Sequence, residues 1–190
     1  MKNRDQILLE EAYTRVLLQE KNYDEAWELF SLKSQEVKDL VKKVFKLNYP
    51  SLDAMNNDPK VDELAHKLGD FMDTLPVTKY SWDQIPNLKE IDQNWIKKMQ
   101  TIHNAENVEQ EYIKLMTQRD EEGGERYGGK LGNNTLFNNV KNGLGDPVVI
   151  LKTPSACYAV GGRTRMFAAL ASKTDIKAII LTPEILQQFK

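Results

Sequence analysis

Two adjacent glycines, set between an apolar run and an alanine-rich segment, constrain this chain more than any other feature. The runs Val148-Val149-Ile150-Leu151, Tyr158-Ala159-Val160 and Ile176-Lys177-Ala178-Ile179-Ile180-Leu181 bracket Gly161-Gly162-Arg163-Thr164-Arg165, which opens Met166-Phe167-Ala168-Ala169-Leu170-Ala171. Val and Ile enrichment makes the first and third runs strands. A strand ending in glycines and feeding a helix places the helix's first N–H groups at the positive end of its dipole. Such a corner suits an anion, and two arginines in the first turn point to phosphate or carboxylate.

Charge is distributed unevenly along the 190 residues. Residues 1–75 carry 11 Lys/Arg against 15 Asp/Glu, and 76–129 carry 7 against 10. Residues 130–182 carry 7 against 2, so the part with the glycine turn is basic. A local positive field suits a phosphorylated ligand or nucleic acid, while the acidic remainder disfavours general coating of DNA. The single cysteine, Cys157, excludes an intramolecular disulfide and fits a reducing cytoplasm. Two histidines and one cysteine make a zinc site of those ligands improbable. No run approaches the roughly 20 apolar residues of a membrane span, so no membrane partner is expected.

The first 75 residues read as helices. Leu9, Tyr13, Val16 and Leu17 recur at helical spacing, as do Val37, Leu40, Val41, Val44 and Phe45. Residues 24–30 form a shorter helix, and Asp58-Pro59 starts another that carries Val61, Leu64, Ala65, Leu68, Phe71 and Met72. A boundary at Leu75-Pro76 separates a helical region, 1–75, from a second domain, 76–190. Weak alternation predicts a strand over 77–85, then helices over 91–103 and 108–118. Residues 123–134 hold five of the ten glycines and read as a mobile loop, with Arg126 and Lys130 able to fold over a bound phosphate. A short helix over 135–141 ends at Asn142-Gly143. Strands over 148–151, 158–160 and 176–181 follow, with helices over 164–171 and 183–189.

In this order, Gly143-Leu144-Gly145-Asp146-Pro147-Val148 followed by Gly162-Arg163-Thr164-Arg165-Met166-Phe167-Ala168 resembles the ParB/sulfiredoxin superfamily. The similarity covers about residues 135–182, extending over 77–190 if the first strand belongs to it. It implies an α+β fold with a small mixed sheet, in which the turn cradles a nucleotide's phosphates. Gly161, Gly162 and Arg165 match the phosphate-contacting turn, with Thr164 between them. Sulfiredoxins place cysteine and histidine where this chain has Arg163 and Thr164, so sulfinic-acid reduction is excluded on the family's terms. Partition-type members have an acidic residue and arginine there, which this chain also lacks. The compact size and the unplaced helical half point to a bacteriophage member acting in the cytoplasm of an infected bacterium.

Two functions follow as expectations. One is nucleotide-dependent phosphoryl or phosphodiester chemistry: nucleotide hydrolysis, phosphotransfer or nuclease action on ATP, CTP or DNA. Arg165 and the turn would hold phosphate, Arg163 would neutralise developing charge, and Asp146 would act as base or as a ligand for Mg²⁺. The other is a non-catalytic nucleotide- or DNA-binding module whose helical region contacts a protein partner. His66, His103 and Cys157 read as structural, and Tyr127, Tyr158 and Trp82 as core or rim aromatics.

Overall fold

The computed structural model describes residues 23–47, 49, 52–123 and 129–189. The helix expected around Leu9 to Leu17 lies outside them. The chain divides into two units, Met1–Pro76 with Pro183–Lys190, and Val77–Thr182. The boundary in sequence at Leu75-Pro76 coincides with this division, but the last helix is grouped with the helical unit.

The first unit contains α1 (residues 23–31), α2 (Gln35–Phe45), α3 (Leu52–Asn56), α4 (Pro59–Asp73) and, at the far end of the chain, α9 (Pro183–Gln188). Helix α4 begins where Asp58 caps it, its carboxylate accepting from the Lys60 amide with Pro59 at the first helical position. Its apolar stripe, Val61, Ala65, Leu68 and Met72, is buried. Just past α9, the Phe189 ring lies 5.7 Å from that of Phe45 and 5.6 Å from that of Phe71. These aromatic contacts hold the end of the chain in the helical unit, a pairing that local sequence does not show.

The second unit is α+β with a small mixed sheet. Strands β1 (Val77–Tyr80), β2 (Val148–Lys152), β3 (Cys157–Gly161) and β4 (Ile176–Leu181) lie in the order β1-β4-β2-β3. β2 and β3 form an antiparallel hairpin, β4 runs parallel to β2, and β1 is antiparallel to β4. The first strand is shorter than the alternation predicts. After Tyr80 the chain enters a 3-10 helix, Trp82–Asn87, that buries Ile85 and contains Pro86. Helices α5 (Gln93–Ile102), α6 (Val108–Gly123) and α7 (Gly129–Lys141) surround α8 (Arg163–Ser172). Every residue of α8 from Met166 to Ala171 is buried, so this helix is apolar on all sides. It packs on α5, α6, α7, the 3-10 helix, β2 and β4.

The glycine-rich segment differs from expectation. Residues 129–134, expected within a mobile loop, form the first turns of α7. Asn133 is fully buried and donates to Asp120 Oδ2 at 2.8 Å, while Arg119 Nη2 donates to Asp120 Oδ1 at 3.0 Å. Asn138 bridges to Glu109 Oε1 at 3.2 Å. These bonds and the Tyr112–Phe137 ring contact join α6 to α7 and outweigh the roughly 1 kcal/mol per glycine that opposes helix.

Candidate functional site

The turn between β3 and α8 is built by close packing. Gly161 is buried and sits in the β2–β3 ladder opposite Val149, so it belongs to the strand and not to an open loop. Gly162 is the N-cap of α8 with φ +78°. A Cβ there would lie 2.7 Å from Val148 Cγ1 and 3.0 Å from Arg165 Nη2. The glycine is therefore required twice, by a left-handed backbone and by the side chains of Val148 and Arg165 that crowd it.

The two arginines of the first turn do different work. Arg163 donates from Nε to the Glu90 carbonyl at 3.1 Å and from Nη2 to the Ala159 carbonyl at 3.1 Å. Residue 90 has φ +59°, and next to it Lys89 bridges Tyr158 in parallel, with its amide donating to the Cys157 carbonyl at 2.9 Å. Arg163 thus fastens the segment after the 3-10 helix along the outer edge of β3. Two of its five N–H donors are thereby engaged by backbone carbonyls. Thr164 is also buried, and its carbonyl accepts from the Tyr112 hydroxyl at 3.4 Å, tying the turn to α6.

Arg165 is the arginine that meets a cavity. Its side chain is 17% exposed, and Nη1 lies 3.9 Å from Asp146 Oδ2, whose side chain is 59% exposed. That separation is longer than the 2.7–2.9 Å of a charge-assisted hydrogen bond. The first intrahelical bond runs from the Met166 amide to the Gly162 carbonyl at 3.0 Å, which puts Arg165 in the positive first turn.

Two cavities meet at this pair. One, of about 520 Å³, is lined by β1 and the start of β4, including Lys79, Asp175 and Lys177, together with Gly143, Asp146 and Arg165. The other, of about 510 Å³, is lined by Leu131, Thr135, Leu136 and Asn139 of α7, again with Asp146 and Arg165. Both volumes fall in the range of small-molecule sites. The structure brings Asp146 and Arg165 together, and leaves Gly161, Gly162, Arg163 and Thr164 as the scaffold behind them. Of the phosphate lid, Arg126 lies outside the described residues, and Lys130 is placed only by its backbone in the first turn of α7. Lys79, Lys177 and Asn139 are cavity residues that sequence reading missed. The one local signal was Lys177, a lone charge inside an apolar strand run.

Comparison with known proteins finds no match. No protein-family model, curated protein or solved structure matches this chain.

The donor set at the junction bears on Mg²⁺. Asp146 is exposed, whereas the Asp175 carboxylate is engaged by Lys79, Ser81 and the Trp82 amide. No group of three or more His, Cys, Asp or Glu suited to a metal is found among the described residues. Asp146 fits a magnesium ion whose remaining ligands are phosphate oxygens and water, since such ions need only one or two carboxylates. Among the described residues no helix is long and apolar enough to cross a membrane.

Proposed function

We propose that this protein binds a nucleotide at the Arg165–Asp146 junction and carries out phosphoryl or phosphodiester chemistry on it. The observation that carries this reading is a largely buried guanidinium, in the positive turn of α8, opening onto two adjoining cavities. Arg165 would take phosphate oxygens in its planar fork and bring them beside the carboxylate of Asp146. Placed there, the carboxylate would accept a proton from an attacking hydroxyl or share a cation with the phosphate. Bound there, Mg²⁺ would neutralise phosphate charge. Asp146 is the residue that would hold it. The order α7, proline-led β2, β3, glycine turn and α8 also supports assigning this unit to the ParB/sulfiredoxin-like fold.

A second reading is a non-catalytic nucleotide- or DNA-binding module with a protein partner on the helical unit. The engagement of Arg163 by backbone carbonyls favours it, because two donors of one expected catalytic group are thereby taken. Melting the protein with ATP, CTP or ADP, with and without Mg²⁺, tests binding. Ligand at a hundredfold excess over Kd stabilises the native state by about 2.7 kcal/mol. Turnover of labelled nucleotide by the wild type, lost in Asp146→Asn with binding retained, selects the enzyme. Binding without turnover selects the module. No nucleotide effect, together with salt-sensitive duplex DNA binding, overturns the nucleotide reading.

A further inference from the structure

The sheet places two like charges opposite each other at the wall of one cavity. Lys79 on β1 and Lys177 on β4 are direct cross-strand partners, an arrangement that is unfavourable by itself. Lys79 is neutralised by Asp175, Nζ to Oδ2 at 2.8 Å. Lys177 is exposed, and among the described residues no carboxylate pairs with it. In the cavity that holds both lysines, Asp175 answers Lys79 and Asp146 stands beside Arg165, so Lys177 is the surplus positive charge.

The adjoining cavity is no more apolar, but it differs in charge. Leu131, Leu136 and Val140 supply apolar surface, Thr135 and Asn139 add uncharged polar groups, and among the described residues its charged lining residues are the shared Asp146 and Arg165. Arg165 therefore stands between a compartment with a surplus positive charge and one whose described lining adds no further charge, both walled mainly by apolar surface.

We propose that the site takes a nucleoside di- or triphosphate in one direction, resting on the nucleotide reading above. The phosphate nearest the sugar sits at Arg165, the outer phosphates extend along β1 and β4 to Lys177, and the base lies against α7. Apolar side chains offer the base a face to pack on, and the exposed Asn139 amide offers both a donor and an acceptor to its edge. Lys177 is then a specificity residue for chain length: a monophosphate is satisfied at Arg165 and gains nothing from it.

Isothermal calorimetry on the full chain, with Mg²⁺, tests this using ATP, CTP, AMP, CMP and inorganic triphosphate. Lys177→Ala is expected to weaken the two triphosphate nucleotides and inorganic triphosphate by about three- to tenfold, leaving AMP and CMP unchanged. Asn139→Ala is expected to weaken at least one nucleotide pair, ATP with AMP or CTP with CMP, while inorganic triphosphate binding stays the same. The proposed direction is overturned if Lys177→Ala weakens mono- and triphosphates equally or weakens neither. It is also overturned if Asn139→Ala weakens inorganic triphosphate. In these cases the nucleotide reading stands provided that Arg165→Ala still removes triphosphate binding. Loss of the reading itself has a separate signature, namely wild-type protein that binds none of the five probes or an Arg165→Ala variant that binds them as the wild type does.

Discussion

Arg163 donates through Nε to the carbonyl of Glu90, 73 residues earlier, at 3.1 Å, and so closes the outer edge of β3 with a side chain. A second bond, Nη2 to the Ala159 carbonyl, completes the clamp. Its neighbour two positions on, Arg165, faces the cavities instead.

Substitution should separate these two arginines. Arg163→Ala is expected to destabilise the fold by about 2 kcal/mol, because two buried-edge carbonyls lose charged donors, with ligand affinity unchanged in the folded fraction. Urea melts and nucleotide titration measure the two effects. An Arg163→Ala protein that melts like the wild type but no longer binds nucleotide would return Arg163 to the ligand site.

Arg165→Ala is expected to do the reverse. Native stability should change by less than about 1 kcal/mol, since the carboxylate beside it, Asp146, is exposed. Thermal stabilisation by ATP or CTP should disappear. Retained stabilisation in that variant contradicts the assignment of Arg165 as the phosphate ligand.

Gly162→Ala and Gly143→Ala form an informative pair. Both residues have positive φ, but a Cβ at Gly143 meets nothing within 4 Å whereas one at Gly162 meets Val148 at 2.7 Å. The expected losses are roughly 1 kcal/mol at Gly143 and about 2–4 kcal/mol at Gly162, where strain and overpacking combine. Equal midpoints for the two variants in chemical denaturation would contradict the crowding at the turn.

The α6–α7 contact makes its own prediction. Asp120 is 1% exposed and shares its carboxylate between Arg119 and Asn133. Asn133→Ala leaves one oxygen of a buried carboxylate without that donor and is expected to cost about 2–3 kcal/mol. Helicity should fall with it, since glycines weaken α7 on its own; circular dichroism at matched temperature reads this directly.

Acid should loosen β1. The hydrogen bond from Lys79, reinforced by the Trp82 amide, holds the Asp175 carboxyl below its ordinary value of 3.8. A depressed carboxyl pKa stabilises the native state fully above pH 3.8, and that stabilisation is lost as pH falls through the lower folded-state value. Stability curves for wild type and Asp175→Asn should therefore converge at low pH and diverge above it. Parallel curves over the whole range would contradict this linkage.

The elements around the turn were readable because their apolar runs are short, dense and rich in β-branched residues. Strand β4 has the bounds that its Val/Ile pattern predicts, and β2, β3 and α8 differ from expectation by one or two terminal residues. Only the second half of α7 was legible, over 135–141; the glycine and asparagine of residues 129–134 argue against helix, and the bond from Asn133 that overrules them reaches to Asp120 on another element. Strand β1 stops at Tyr80, short of the alternation, because Ile85 looks like a strand residue but is buried by the 3-10 turn containing Pro86. Asp146 and Arg165, named from the proline-led strand and the glycine turn, lie side by side in the structure. The separate fate of Arg163 and the opposition of Lys79 and Lys177 depend on partners set by sheet register, which no window of neighbouring residues contains.

Helix α8 carries Arg165 on a rod whose following turns are sealed among other elements. For the proposed phosphate, a guanidinium on so fixed a base is partly pre-positioned, which lowers the ordering entropy spent on capture. The same burial means that the rod's amides should exchange with deuterium only through large-scale opening. Geometry at the junction and integrity of the unit's interior are thus one property, and variants that soften the interior will blur recognition even when every contact residue is intact.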